Sequence, residues 1–164
     1  MSKTAFVAPA VKQLTKCIDG YLGYETRDWR LITDKCFRRH MVHQAHSLLT
    51  HVNNVTEKIP VDPPITQKID KLKRGIVTVS EGLKYPTYLD ALFFRQQAFN
   101  KESMNRLYEC EQAMLHDTQV LQQEIDGTLS ATSITEIENM IVNMQDFIDN
   151  FNLHQFERES LISE

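Results

Sequence analysis

Cys36, His40 and His43 follow one another at steps of four and three residues, which on a helix places a thiol and two imidazoles on one face. Sulfur and imidazole ligands in that arrangement suit zinc or another transition metal. His46 and His51 lie further along the same segment, so the set spirals around the axis. A metal site usually draws ligands from two segments, and neither HExxH nor paired ExxH occurs here. These histidines, beside Arg38 and Arg39, are therefore read first as polar or interface surface. A metal- or haem-binding sensory bundle on Cys36, His40 and His43 is kept as the alternative.

A second constellation is basic. Lys68, Lys71, Lys73 and Arg74, with Lys84 beyond them, border an apolar stripe. Such a helix can contact anionic membrane or nucleic-acid phosphates. It has no Trp or Phe for insertion and no aromatics for base stacking, so a solvated edge is the favoured reading. Tyr85, Tyr88, Phe93, Phe94 and Phe99 concentrate aromatics at one junction, where core packing is commoner than a ligand pocket. Trp29 is read the same way.

Catalytic patterns are wanting. GxSxG, a phosphate-cradling glycine loop and a DxDxDG loop do not occur. The pairs Glu109/Glu111 and Glu136/Glu138 have i,i+2 spacing, which points them to different faces. Cys110 has only His116 near it in sequence, off its face. The expectation is a non-enzymatic protein without a cofactor.

The elements that carry these residues are helices. Pro9 suits a first helical position, Val11, Leu14, Ile18 and Tyr21 follow at helical spacing, and Gly20 and Gly23 end the segment. Thr26 or Asp28 caps a second helix from about Trp29 to Thr56. Its stripe is read as Ile32 and Cys36, then Val42, Ala45, Leu49, Val52 and Val55, drifting around the axis between two frames. Three prolines within 60–64 break the chain, and Asp62 caps the next helix. Ile65, Ile69, Leu72, Ile76, Val79 and Leu83 then keep unbroken 4-3-4-3-4 spacing. Gly75 interrupts that helix, at some cost in stability or to allow a close approach.

After the Tyr85-Pro86-Thr87 turn, a fourth helix spans 88–126, continuous or kinked near 100–103. Leu89, Leu92, Phe93, Gln96 and Phe99 line its first part. Met104, Leu107, Met114, Leu121 and Ile125 line its second, and Gly127 stops it. Ser133 and Glu136 form a capping box for the last helix. There Ile134, Ile137, Ile141, Met144, Ile148 and Phe151 keep strict heptad spacing, and Met140 and Phe147 widen the apolar face. The tail after Arg158 is expected to fray.

The fold class is thus all-α: an elongated antiparallel bundle of four long helices and one short N-terminal helix, with coiled-coil-like packing over a single domain, 1–164. The chain carries a net charge of −4, divided between a basic half (1–84) and an acidic half (85–164). Three widely spaced cysteines favour a reducing, cytoplasmic setting. Residues 1–10 have no signal-peptide run, and no apolar stretch is long enough to span a membrane. The heptad stripes of 65–83 and 134–151 are wider than one helix pair would hide. The expected function is a scaffold or adaptor with protein partners, self-associating as a homo-oligomer; nucleic acid or anionic membrane is the less favoured partner.

Overall fold

The protein is described by a computed structural model covering residues 9–58, 60–128 and 133–164. It is all-α, with no strand among the described residues. Helix α1 is Pro9–Cys17, α2 is Arg27–Lys58, α3 is Pro63–Lys84, α4 is Lys101–Thr128 and α5 is Ile134–Ser163.

Local sequence sets the boundaries. Past α1 the chain turns at Gly20 (φ 77°) and Gly23 (φ 91°), conformations that a Cβ disfavours. Asp62 is the N-cap of α3, its carboxylate accepting from Ile65 N, and prolines occupy the first two helical positions. Asn100 caps α4 by accepting from the backbone N–H groups of Glu102 and Ser103 at 2.9 and 3.1 Å. Ser133 holds the N-cap position of α5 in extended backbone, without a side-chain capping bond, so that half of the capping box does not form. Residues 129–132, between Gly127 and Ser133, lie outside the described residues, as do 1–8.

The four long helices form two antiparallel hairpins, α2/α3 and α4/α5, laid side by side with α2 against α4 and α3 against α5. The hairpins run in register: Asp34 and Glu111 share Arg158 near one end, and His51 and Asp126 pair near the other. The α3–α4 connection, 85–100, therefore crosses the bundle end to the diagonal position. Its 3₁₀ turn, Leu92–Phe94, touches α2 and α5 and buries Phe93 and Phe94. Helix α1 packs outside, on α4.

This connection corrects the expected 88–126 helix. The helix starts at Lys101, and Leu89 and Leu92 are exposed instead of lining a stripe. The α2 stripe is also corrected. Its buried residues are Phe37, Met41, Ala45, Leu48, Val52 and Val55 in one frame, whereas Ile32 is exposed and Cys36, Val42 and Leu49 are only half-buried. Charged residues at the start of the true stripe, Arg30 and Asp34, hid its phase.

The heptad residues of α3 (Ile65, Ile69, Leu72, Ile76, Val79, Leu83) are all buried within the one chain. So are Ile137, Met144, Ile148 and Phe151 of α5, while Ile141 is half-buried and Ile134 exposed. Those stripes leave no wide apolar surplus, because two neighbouring helices cover each of them. Gly75 serves the close approach: a Cβ there would lie 2.8 Å from Ile148 Cδ1. The tail does not fray either. Helix α5 continues past Arg158, and Leu161 and Ile162 are 1% and 0% exposed.

Candidate functional site

The most charged place inside the molecule lies where the chain crosses the bundle end. Arg158 of α5 is fully buried and spends its guanidinium on four groups. Nε donates to Glu111 Oε1 (2.8 Å), Nη1 to the Tyr88 hydroxyl (2.7 Å), and Nη2 to Asp34 Oδ1 (2.7 Å) and to the Tyr24 hydroxyl (3.5 Å). The Phe37 ring centroid lies 4.7 Å from the guanidinium carbon, a cation–π contact.

Each carboxylate is satisfied in turn. Tyr21 and Tyr24 donate to Glu111 at 2.5 Å each, and Tyr88 donates to Asp34 at 2.7 Å. Arg38 closes the set, donating to Asp34 Oδ2 at 2.9 Å and to the Leu83 carbonyl at 3.1 Å. Two arginines thus balance two carboxylates. A lone buried charge costs several kcal/mol, so this balance and its hydrogen bonds are what make the cluster tolerable.

Burial and the Glu111 carboxylate raise Tyr21 and Tyr24 well above the usual tyrosine range, which keeps both hydroxyls as donors. Burial would also raise Asp34, but Arg158, the Tyr88 hydroxyl and Arg38 outweigh it and hold Asp34 below its usual range. For Glu111, wholly enclosed, burial wins over Arg158 and the two tyrosines, and its carboxyl is raised. With its donors and acceptors turned upon one another, this hub is suited to locking elements together. It joins the α1–α2 turn, α2, the crossing segment, α4 and α5. Arg30 adds a second lock, donating to the carbonyls of Tyr24, Phe93 and Gln96 at 2.7–2.8 Å beneath Phe93 and Phe99.

Spacing along the chain does not reveal this hub, although a signal is present. Asp34, Glu111 and Arg158 each stand in phase with an apolar stripe. Asp34 precedes Phe37 and Met41, Glu111 lies between Leu107 and Met114, and Arg158 stands one heptad after Phe151 and just before Ile162. A charge at a core position asks for a partner. Glu109, by contrast, is exposed, in keeping with the opposed faces expected for Glu109 and Glu111.

The expected metal ligands of α2 are not brought together. Cys36 and His43 are separated by about 10.5 Å of helix rise. Cys36 Sγ lies toward Gly20, His40 is half-buried and His43 exposed. Burial and the neighbouring His43 lower His40 below the usual histidine range. Further along, His51 pairs with Asp126 of α4. Ligand atoms do converge elsewhere: Cys110 of α4 and His154 and Glu157 of α5 each place one within 4.8 Å of the others. The Cys110 Sγ–H donates to the His154 carbonyl at 2.9 Å, and burial, with Glu157 and Glu111, pushes the thiol up to about 12. No sequence spacing could show this group, because His154 and Glu157 come from another helix.

Lys68, Lys71 and Arg74 are exposed on α3, and Lys73 lies 3.8 Å from Asp70. Lys68 and Lys71 wall a groove between α3 and α5 with Leu72, Ile141, Val142 and Asp146. The aromatic junction is packed: Phe93 meets Phe94 and Phe99 with ring centroids 5.0 and 4.7 Å apart, and Tyr85 alone of those five is exposed. Trp29 is exposed as well, which corrects its expected place in the core, because the buried face of α2 at that level belongs to Arg30 and Thr33. Phe99 also forms one wall of an open groove with Arg30, Glu25, Lys101 and Met104. No helix among the described residues is long and apolar enough to cross a membrane. No protein-family model, curated protein or solved structure matches the chain.

Proposed function

We propose that this protein is a non-enzymatic helical scaffold that self-associates through the outward face of α5. One observation carries the reading: Leu153 and Phe156 are 68% and 74% exposed although they sit three residues apart on one helix face. Val142, 56% exposed, belongs to the same face. At 3.6 residues per turn the three side chains fall within about 60° of one another around the axis, Val142 standing about 16 Å along it from Leu153 with exposed Gln145 and Asp149 between. Isolated exposed apolar residues are ordinary, but an aligned set including a phenylalanine is a contact surface.

A second copy is the partner that fits. The α5 face carries exposed Glu138 and Asp149, while the groove wall beside Val142 carries Lys68 and Lys71. Opposite charges beside exposed apolar side chains let two identical surfaces meet about a two-fold axis. The basic stretch of α3 then has a role at a protein interface without any nucleic acid or lipid.

Sedimentation velocity across a concentration series tests this. The wild-type chain is expected to dimerise in the micromolar range, and Leu153→Glu with Phe156→Glu to sediment as a folded monomer. A wild-type monomer at every concentration, or an unaltered dimer in the double variant, overturns the proposal.

A further inference from the structure

We propose that Cys110, His154 and Glu157 form a zinc-class metal site on the α4/α5 seam. The three residues bring the ligand chemistry that zinc selects, a thiolate, an imidazole and a carboxylate, from two helices. Tetrahedral zinc with bonds of about 2.0–2.3 Å needs its ligand atoms about 3.3–3.7 Å apart. The present separations, within 4.8 Å, close to that by side-chain rotation of His154 and Glu157, which are 32% and 44% exposed. On binding, the Cys110 thiol gives up its hydrogen bond to the His154 carbonyl and releases its proton to solvent; the resulting thiolate and the Glu157 carboxylate neutralise a divalent ion, and the exposed side leaves the fourth position to water.

Acidic groups outnumber basic ones around the site: Asp117, Glu157 and Glu111 face it against Arg106 and the buried Arg158, whose charge is already taken up by Glu111 and Asp34. Asp117, one heptad beyond Cys110, places Oδ2 3.6 Å from His154 Nε2, where a carboxylate orients a ligating imidazole. It also begins a groove between α4 and α5 lined by Glu124, Asp146, Asn143 and Asn150, with no basic side chain among its described walls. Such a groove concentrates cations. The competitor is Arg106, whose ion pair with Glu157 at 3.0 Å is exposed and readily exchanged.

The site also stands back to back with the buried hub. Cys110 precedes Glu111, and Glu157 precedes Arg158. An ion bridging Cys110 to α5 would therefore clamp the same two helical turns that the Arg158–Glu111 pair joins from inside, and bound metal should raise the melting temperature.

Cobalt(II) titration of the reduced full chain, followed by displacement with zinc, tests the site. One equivalent of cobalt is expected to give sulfur-to-metal charge-transfer absorption in the near ultraviolet, removed by zinc. The band should vanish in Cys110→Ser. Affinity should fall at least about tenfold in His154→Ala, Glu157→Gln and Asp117→Asn. It should be unchanged in a Cys36→Ser, His40→Ala, His43→Ala triple variant. His154 and Glu157 are partly exposed, so their variants stay folded, which circular dichroism verifies. No charge-transfer band, a band surviving Cys110→Ser, or affinity indifferent to His154→Ala and Glu157→Gln overturns the assignment. Sedimentation behaviour bears only on the dimer, so the two proposals fail separately.

Discussion

The guanidinium of Arg158 donates to Asp34 Oδ1 at 2.7 Å across 124 residues of sequence, and neither side chain is exposed. The pair fastens the last helix to the start of the second across the diagonal of the bundle, where the described backbones make no close approach. Its value lies less in attraction than in the penalty for removing one member.

Replacing Arg158 by Leu leaves Asp34 and Glu111 buried without their shared cation, and should destabilise the fold by about 3–5 kcal/mol. Arg158→Lys should rescue little of this, since one ammonium cannot reproduce bonds made from Nε, Nη1 and Nη2. Urea unfolding of both variants measures it; a lysine variant as stable as wild type would contradict the geometry.

Acid should weaken the same link. Asp34 is held below its ordinary value of 3.8, with burial opposing and Arg158, Tyr88 and Arg38 prevailing. A carboxyl lowered by folding contributes stability above its unfolded pKa, and that contribution is lost as pH falls through the folded value. Glu111, raised by burial, contributes with the opposite sign. The Asp34→Asn variant isolates the first effect: its urea midpoint should fall less steeply below pH 3.8 than that of the wild type.

Arg30→Ala should loosen the crossing segment. It strips the hydrogen-bond donor from the carbonyls of Tyr24, Phe93 and Gln96, at a cost of about 2–4 kcal/mol. Amide exchange across 92–97 should accelerate before that of α4 or α5.

The three thiols should differ in reactivity. Cys17 and Cys36 are half-buried, and Cys110 is buried. A disulfide-exchange reagent should modify the first two in the folded protein and reach Cys110 only on unfolding.

Deleting residues 159–164 should lower the melting temperature clearly, because Leu161 and Ile162 each bury a side chain worth about 1.5–3 kcal/mol. A tail that merely frayed would be dispensable.

Periodicity by itself determined that the long elements are helices, but not where each one begins. Where apolar residues recur without interruption, as from Ile65 to Leu83, both the element and its inward face are legible, since a stripe of that width has to be hidden from water. Prolines at 60, 63 and 64 and the Asp62 cap fix a boundary for equally local reasons. Distant partners decided the rest. The 88–100 segment has helical spacing but folds as a crossing strap, because Arg30 takes up its carbonyls and Tyr88 joins Asp34 and Arg158. In the sequence Arg158 stands at the start of a polar tail, and only tertiary structure turns it inward. A charge can occupy a core position when partners from other helices surround it, and pairwise spacing along one chain segment carries no record of them. The same reason moves the converging metal-type ligands from one helix, where three spaced side chains spread along the axis, to the seam between two.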